Sequence, residues 1–211
     1  MGNSDFYKEK EQVASFMKRL YERHLTTASG GNISLRLNDD LFCITPSAID
    51  KGNLKPEQIA IVGFDGKNYT PDLPLSIETE MHKKILLARG DRKAVVHAHP
   101  TYACAFATAS KCSLTTRLTA EAYYILGDIT TVPYKLMGTN DLATIVASYI
   151  KNYEVLLMEN HGAVAVGNDL LRAFDCMELL ERAAVMNIIA KNIDGAKELN
   201  EEQLDAIIKM R

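Results

Sequence analysis

The stretch Ile33-Ser34-Leu35-Arg36-Leu37-Asn38-Asp39-Asp40-Leu41-Phe42-Cys43-Ile44-Thr45 alternates apolar and polar residues up to Leu37, turns polar, and resumes with an apolar run. A period of two marks a half-buried strand, and an Asn/Asp cluster between two such runs marks a turn, so the stretch predicts a β-hairpin. A second hairpin is expected from residues 59–64 and 67–70 across Asp65-Gly66. Hairpins join antiparallel neighbours. Mixed with helices, they predict an α/β chain whose central, mostly antiparallel sheet is covered by helices, and argue against a doubly wound parallel sheet.

Outward from that hairpin, Val13, Phe16, Met17, Leu20 and Tyr21 recur at helical spacing and predict a helix over residues 4–24. A helix is expected over residues 76–89 with Ser76 as its N-cap, and another opens near Pro100. Residues 128–134 read as a strand, 140–150 as an amphipathic helix, and 155–166 as a buried strand pair or one long strand. Residues 169–192 read as a long helix and 201–210 as a short one capped by Asn200. With no repeat, linker or low-complexity stretch, the expectation is one domain over residues 1–211.

Composition excludes several classes. The 24 basic and 27 acidic residues leave a formal net charge of -3, with no electrostatic footprint for nucleic acid. No apolar run approaches the roughly 18 residues of a membrane span. Residues 1–5 lack the basic and apolar regions of a secretory signal, and Phe6 stands where a myristoylation motif needs a hydroxyl residue. Cys43, Cys104, Cys112 and Cys176 form no CxxC pair and read as buried thiols, so the expected setting is the cytoplasm.

Chemistry concentrates at Ala94-Val95-Val96-His97-Ala98-His99-Pro100. In a strand, positions i and i+2 share a face, so His97 and His99 would stand side by side as ligands for a divalent metal. His161, in Glu159-Asn160-His161-Gly162, is a third candidate, although this tetrapeptide reads equally as a turn. Three neutral imidazoles leave a zinc-type ion with an open position, as in catalytic sites. Glu78 lies four residues before His82 on the expected helix. It is either part of a solvated face or a carboxylate that moves a proton beside a coordinated carbonyl, and it could also be a fourth ligand. No HExxH spacing makes His82 a ligand, and it reads as an orienting or packing residue. Ser29-Gly30-Gly31-Asn32-Ile33-Ser34 is neither a P-loop nor a dinucleotide fingerprint. It is an ordinary tight turn or an anion nest, to which Thr45, Ser47 and Ser76 could add hydroxyl donors.

In order along the chain, Ser-Gly-Gly-Asn-Ile-Ser at 29–34, Ile-Thr-Pro-Ser at 44–47, Ser76-Ile77-Glu78 with His82, Val-Val-His-Ala-His-Pro at 95–100 and Glu-Asn-His-Gly at 159–162 resemble the class II aldolase/adducin family. The resemblance runs from the first helix to about Glu181. It implies one Zn2+ per subunit held by His97, His99 and His161, with Glu78 as the acid/base residue that also touches the metal. It implies a phosphate pocket lined by Gly31, Asn32, Ser47, Ala48, Ser76 and Ile77. It further implies a homotetramer whose sites are completed near subunit boundaries, a small sugar-phosphate substrate, and no nucleic-acid or membrane partner.

The implied reaction is reversible aldol cleavage of a phosphorylated deoxyketose, L-fuculose 1-phosphate foremost, to dihydroxyacetone phosphate and an aldehyde. Related alternatives are a pentulose-phosphate 4-epimerase, a sugar-phosphate dehydratase or decarboxylase, and a non-catalytic adducin-like module. The chain departs from the sugar-phosphate aldolase pattern at three places. Ile77 replaces a second serine, residues 117–121 lack the expected catalytic tyrosine, and Lys209-Met210-Arg211 lacks a C-terminal tyrosine. Glu121, Tyr123 and Tyr124 are the substitutes at hand for the missing proton donor.

Overall fold

The computed structural model describes residues 6–111, 113–193 and 195–210. Residues 1–5, on which the leader and the first helix turn were read, lie outside that set, as do Cys112, Asp194 and Arg211.

The expected hairpin forms β1 (Asn32–Arg36) and β2 (Leu41–Ile44), paired antiparallel with Leu35 opposite Cys43. Asn38 builds the turn, its Oδ1 accepting the amides of Asp40 and Leu41, each at 2.9 Å. Five more strands complete the sheet: β3 (Ala60–Gly63), β4 (Ala94–Ala98), β5 (Thr130–Val132), β6 (Val155–Met158) and β7 (Gly162–Gly167). Their order is β3-β2-β1-β4-β7-β6-β5, antiparallel throughout except for the parallel edge pair β5–β6. The sequence-derived fold class is therefore correct.

Helices cover both faces. On one side lie α1 (Tyr7–Glu22), α3 (Thr101–Ala107), α4 (Ala120–Leu126) and α6 (Leu170–Lys191), with α7 (Glu201–Ile208) packed on α4. On the other lie α2 (Thr79–Ala88) and α5 (Asn140–Tyr149). Strand alternation sorts the core between them: Val96, Ala163 and Ala165 face α6, while Val95, Val164 and Val166 face α2 and α5. Asn32, Ser34 and His97 fall on the same face as Val95, beneath α2.

Two expectations need correction, a third is resolved in favour of one of its alternatives, and one helix is new. Residues 67–70 form no strand: only Val62 bridges Asn68, because Asn68 Oδ1 takes the Thr70 amide at 2.8 Å and curls the segment locally. The helix at 76 starts at Thr79, since Ser76 Oγ accepts the Glu78 amide at 3.3 Å in a turn that precedes it. Residues 155–166 form a strand pair with a tight turn at 159–161. Helix α4 had no sequence-level counterpart; Thr119 caps it by accepting the Ala122 amide at 3.2 Å. Cys43 and Cys176 are buried and Cys104 half-buried, and none is in a disulfide.

Candidate active site

His97 sits near the C-terminal end of β4, His99 just beyond it, and His161 in the β6–β7 turn. Because β4 and β7 pair with His97 opposite Val164, that turn comes beside the two strand histidines. Ring centroids lie 4.7 Å apart for His97 and His99, 4.9 Å for His97 and His161, and 5.8 Å for His99 and His161. One ligand nitrogen from each ring lies within 4.8 Å of the other two.

Local backbone makes this approach possible. Asn160 takes a left-handed φ of 51°, which turns the chain so that the His161 amide donates to Met158 O at 3.1 Å. Gly162 follows because a Cβ there would meet Ala98 O and His99 Cδ2, each at 2.8 Å. Gly31 has a φ of +65° and a Cβ on it would meet His97 O at 2.8 Å.

Burial favours the neutral form of all three rings. His97 Nδ1–H donates to Ala163 O at 2.9 Å, which fixes the tautomer and frees the Nε2 lone pair. Burial, helped by the neighbouring His99 and His161, holds His97 well below its ordinary pKa. Burial also lowers His99, and it pushes His161 down to about 4 with His99 contributing. Among the described residues, buried His161 Nδ1 has no hydrogen-bond partner. Three crowded, neutral nitrogens with one orphaned donor or acceptor fit a divalent cation, and the group could bind one.

Glu78 is 4% exposed, with Oε1 accepting the Gly138 amide at 3.0 Å and lying 3.9 Å from His161 Nε2. Burial raises its pKa, and the Gly138 hydrogen bond opposes the rise. Gly138, sixty residues downstream, was invisible to sequence reasoning, because only folding brings its amide to this carboxylate.

The phosphate-pocket candidates come from three loops that the structure joins. Asn32 Nδ2 donates to Ser76 Oγ at 3.2 Å, and the Ser47 amide donates to Pro74 O at 3.0 Å. The amides of Gly31, Ala48 and Ile77 have no partner among the described residues. Ser76 Oγ accepts two hydrogen bonds, so its own hydrogen is left to donate. Thr45 is fully buried, and its Oγ1 accepts the Ile33 amide at 3.2 Å. The Ile77 side chain is 58% exposed and packs toward Gly138.

His82 has the orienting role its spacing suggested. Its Nε2–H donates to Asn32 Oδ1 at 2.5 Å, and its Nδ1 accepts from Ser34 Oγ at 2.7 Å. Burial, with the Lys51 charge nearby, pushes it down to about 3. Two of the substitute proton donors, Tyr123 and Tyr124, are not gathered at the histidines of this chain. Tyr123 and Tyr124 line a cavity with Arg92, Glu154 and Asn168, at the opposite end of β4, β6 and β7.

Residues 11–188 match the family model described as Class II Aldolase and Adducin N-terminal domain. The chain belongs to the class II aldolase and adducin family. This class II aldolase-type chain is an enzyme, a carbon–carbon lyase of a metal-dependent class. It is 31% identical over 206 residues to 5-deoxy-D-ribulose 1-phosphate aldolase of Bacillus thuringiensis serovar kurstaki, covering 96% of this chain and 94% of that one. It is 35% identical over 174 residues to L-fuculose phosphate aldolase of Methanococcus maripaludis, covering 82% and 93%. Among solved structures it is similar to YgbL of Escherichia coli, described as an aldolase, epimerase or decarboxylase. That likeness has a TM-score of 0.89 at 26% identity, over 95% of this chain and 98% of the other.

Proposed function

We propose that the chain catalyses reversible aldol cleavage of a phosphorylated deoxyketose, with L-fuculose 1-phosphate as first candidate, to dihydroxyacetone phosphate and an aldehyde. The observation that carries this reading is the convergence of three neutral imidazoles beside the buried Glu78 carboxylate. The relative that cleaves 5-deoxy-D-ribulose 1-phosphate, matched over 96% of the chain, supports the same class of substrate.

His97, His99 and His161 hold one divalent cation per subunit in this reading, zinc being the ion that an all-nitrogen donor set suits. When bound, that cation supplies Lewis acidity toward the ketose carbonyl and its adjacent hydroxyl. Glu78 moves the proton at the carbon next to that carbonyl, and its burial-raised pKa brings it closer to the neutral range that suits the task. As the carboxylate nearest the histidines, it also serves as an extra ligand while substrate is absent. Gly31, Asn32, Ser47, Ala48, Ser76 and Ile77 hold the phosphate, through free amides and through the Ser47 and Ser76 hydroxyls. At Ile77 a hydroxyl is lost, but the amide at the α2 N-terminus remains to donate.

Exposed Ile77, Leu136 and Met137, beside Glu78 and the Gly138 that binds it, support a subunit boundary at the site, in a homotetramer. The reduced thiols fit a cytoplasmic setting.

A second reading keeps the same site for a pentulose-phosphate 4-epimerase or a sugar-phosphate dehydratase or decarboxylase. The solvent-facing Ile77 side chain, where aldolases of this pattern carry a hydroxyl, favours it, as does the likeness to YgbL. The test is incubation with L-fuculose 1-phosphate and 5-deoxyribulose 1-phosphate, with dihydroxyacetone phosphate as the readout. Release that a strong chelator abolishes and zinc restores is the expected result. A changed sugar without fragments would point to the epimerase, and full cleavage by metal-free protein would overturn the mechanism.

A further inference from the structure

Lys51 is 2% exposed, and its backbone and side chain touch two of the three loops of the anion pocket. Its amide donates to Ala28 O at 2.8 Å, at the start of the glycine loop. Its Nζ donates to Pro46 O, the carbonyl of the peptide whose N–H belongs to Ser47. That N–H is bound in turn to Pro74 O at 3.0 Å, two residues before Ser76. The Pro46–Ser47 peptide is thus pinned at both ends, and Lys51 reaches the third loop through it.

A buried ammonium normally has a carboxylate partner. Lys51 has none among the described residues. Asp50, beside it, accepts from the Gly52 amide at 3.0 Å and from Asn53 Nδ2 at 2.7 Å. From α2 it faces the neutral His82, and from α1 the Tyr21 ring lies against Gly52.

We propose that the Lys51 ammonium is the positive charge of the phosphate subsite, delivered from behind the Pro46–Ser47 peptide to a bound phosphate monoester. The proposal rests on the placement of the phosphate given above. Lys51 is a positioning and charge-supplying residue: it holds Ser47 and Ala48 in place, and it meets a dianion that otherwise finds only amides and hydroxyls. Burial alone pushes the Lys51 amine down to about 8, so without an anion the group gives up its proton readily. A bound dianion restores the charged form.

The experiment uses the full chain with its bound metal and inorganic phosphate as the probe, in wild type, Lys51→Met and Lys51→Arg. Calorimetry at pH 8 in two buffers of different ionisation enthalpy reads affinity and proton uptake together. Wild type is expected to take up a fraction of a proton on binding. Lys51→Met is expected to bind phosphate about 10–100-fold more weakly, the scale of a charge-assisted contact. Lys51→Arg is expected to keep affinity within about threefold while losing the uptake, because arginine stays charged. If Lys51→Met fails to fold, the loss of uptake in Lys51→Arg decides the matter.

Unchanged phosphate affinity in Lys51→Met, or uptake that persists in Lys51→Arg, overturns the proposal. The same variants assayed with a ketose phosphate should show the loss in KM and not in kcat, which a general loosening of the fold would not produce. Phosphate binding requires no carbon–carbon cleavage. The charge role of Lys51 and the proposed lyase reaction can therefore fail independently.

Discussion

Gly138 donates its amide hydrogen to Glu78 Oε1 at 3.0 Å, across sixty residues of sequence. The bond aims a carboxylate that burial would otherwise leave disposed to take up a proton, and it does so 3.9 Å from His161 Nε2. The proposed acid/base group is therefore held by the loop that follows β5, not by its own helix. Ile77 packs against that same glycine, so the residue preceding Glu78 senses the loop as well.

Replacing Glu78 with glutamine keeps the size and an oxygen that can accept the Gly138 amide, and removes the basic carboxylate. Turnover of the ketose phosphate should fall by roughly 100-fold or more, with metal content by elemental analysis near that of wild type. Wild-type turnover in E78Q would remove Glu78 from the mechanism.

At Gly162 there is no room for a side chain. A Cβ would sit 2.8 Å from both Ala98 O and His99 Cδ2, one of them backbone and the other a proposed ligand. Gly162→Ala should therefore cost about 1–3 kcal/mol of stability by overpacking. It should also displace the His99 ring, so that purified protein carries clearly less than one metal ion per chain. Full metal occupancy in G162A would show that the three rings do not act as one ligand set.

His82 predicts an acid-sensitive fold. In the folded chain it titrates only at about 3, whereas the unfolded chain binds that proton at the ordinary 6.5. Below pH 6.5 the unfolded state therefore holds more protons. Stability is fully present above that value and is lost as pH falls toward 3, by up to about 1.4 kcal/mol per pH unit for this one group. Urea unfolding at pH 7 and pH 5 should differ by about 2 kcal/mol less in His82→Gln than in wild type. An identical pH difference in the two proteins would mean that His82 is not the buried neutral link between Asn32 and Ser34.

The parts of the fold legible in sequence were those with a local cause. The β1–β2 hairpin followed from alternation and the Asn38 turn, and α6 from its long periodic run. Helix α7 followed from Asn200, whose capping box with Gln203 is formed. The misreadings were also local in origin. Ser76 has the chemistry of an N-cap, but its hydroxyl was drawn into a turn that also receives Asn32 from β1. Asn68 was read as part of a strand, and its side chain instead captured the Thr70 amide.

For the site, the sequence by itself determined the candidate ligand types: His97 on β4 and His99 just past its end, with the residue types for an amide-and-hydroxyl anion pocket in the segments near 31, 47 and 76. A two-residue strand period fixes such an arrangement without help from the rest of the chain. Whether His161 was a turn residue or a third member of the cluster could only be decided by the β4–β7 pairing, which sets its ring 4.9 Å from that of His97. The partners of Glu78 and Lys51 belong to the same category, because the Gly138 amide and the Pro46 carbonyl reach them through the packing of loops. Side-chain chemistry is written residue by residue, but desolvation and hydrogen-bond partnership exist only once distant segments have excluded water together.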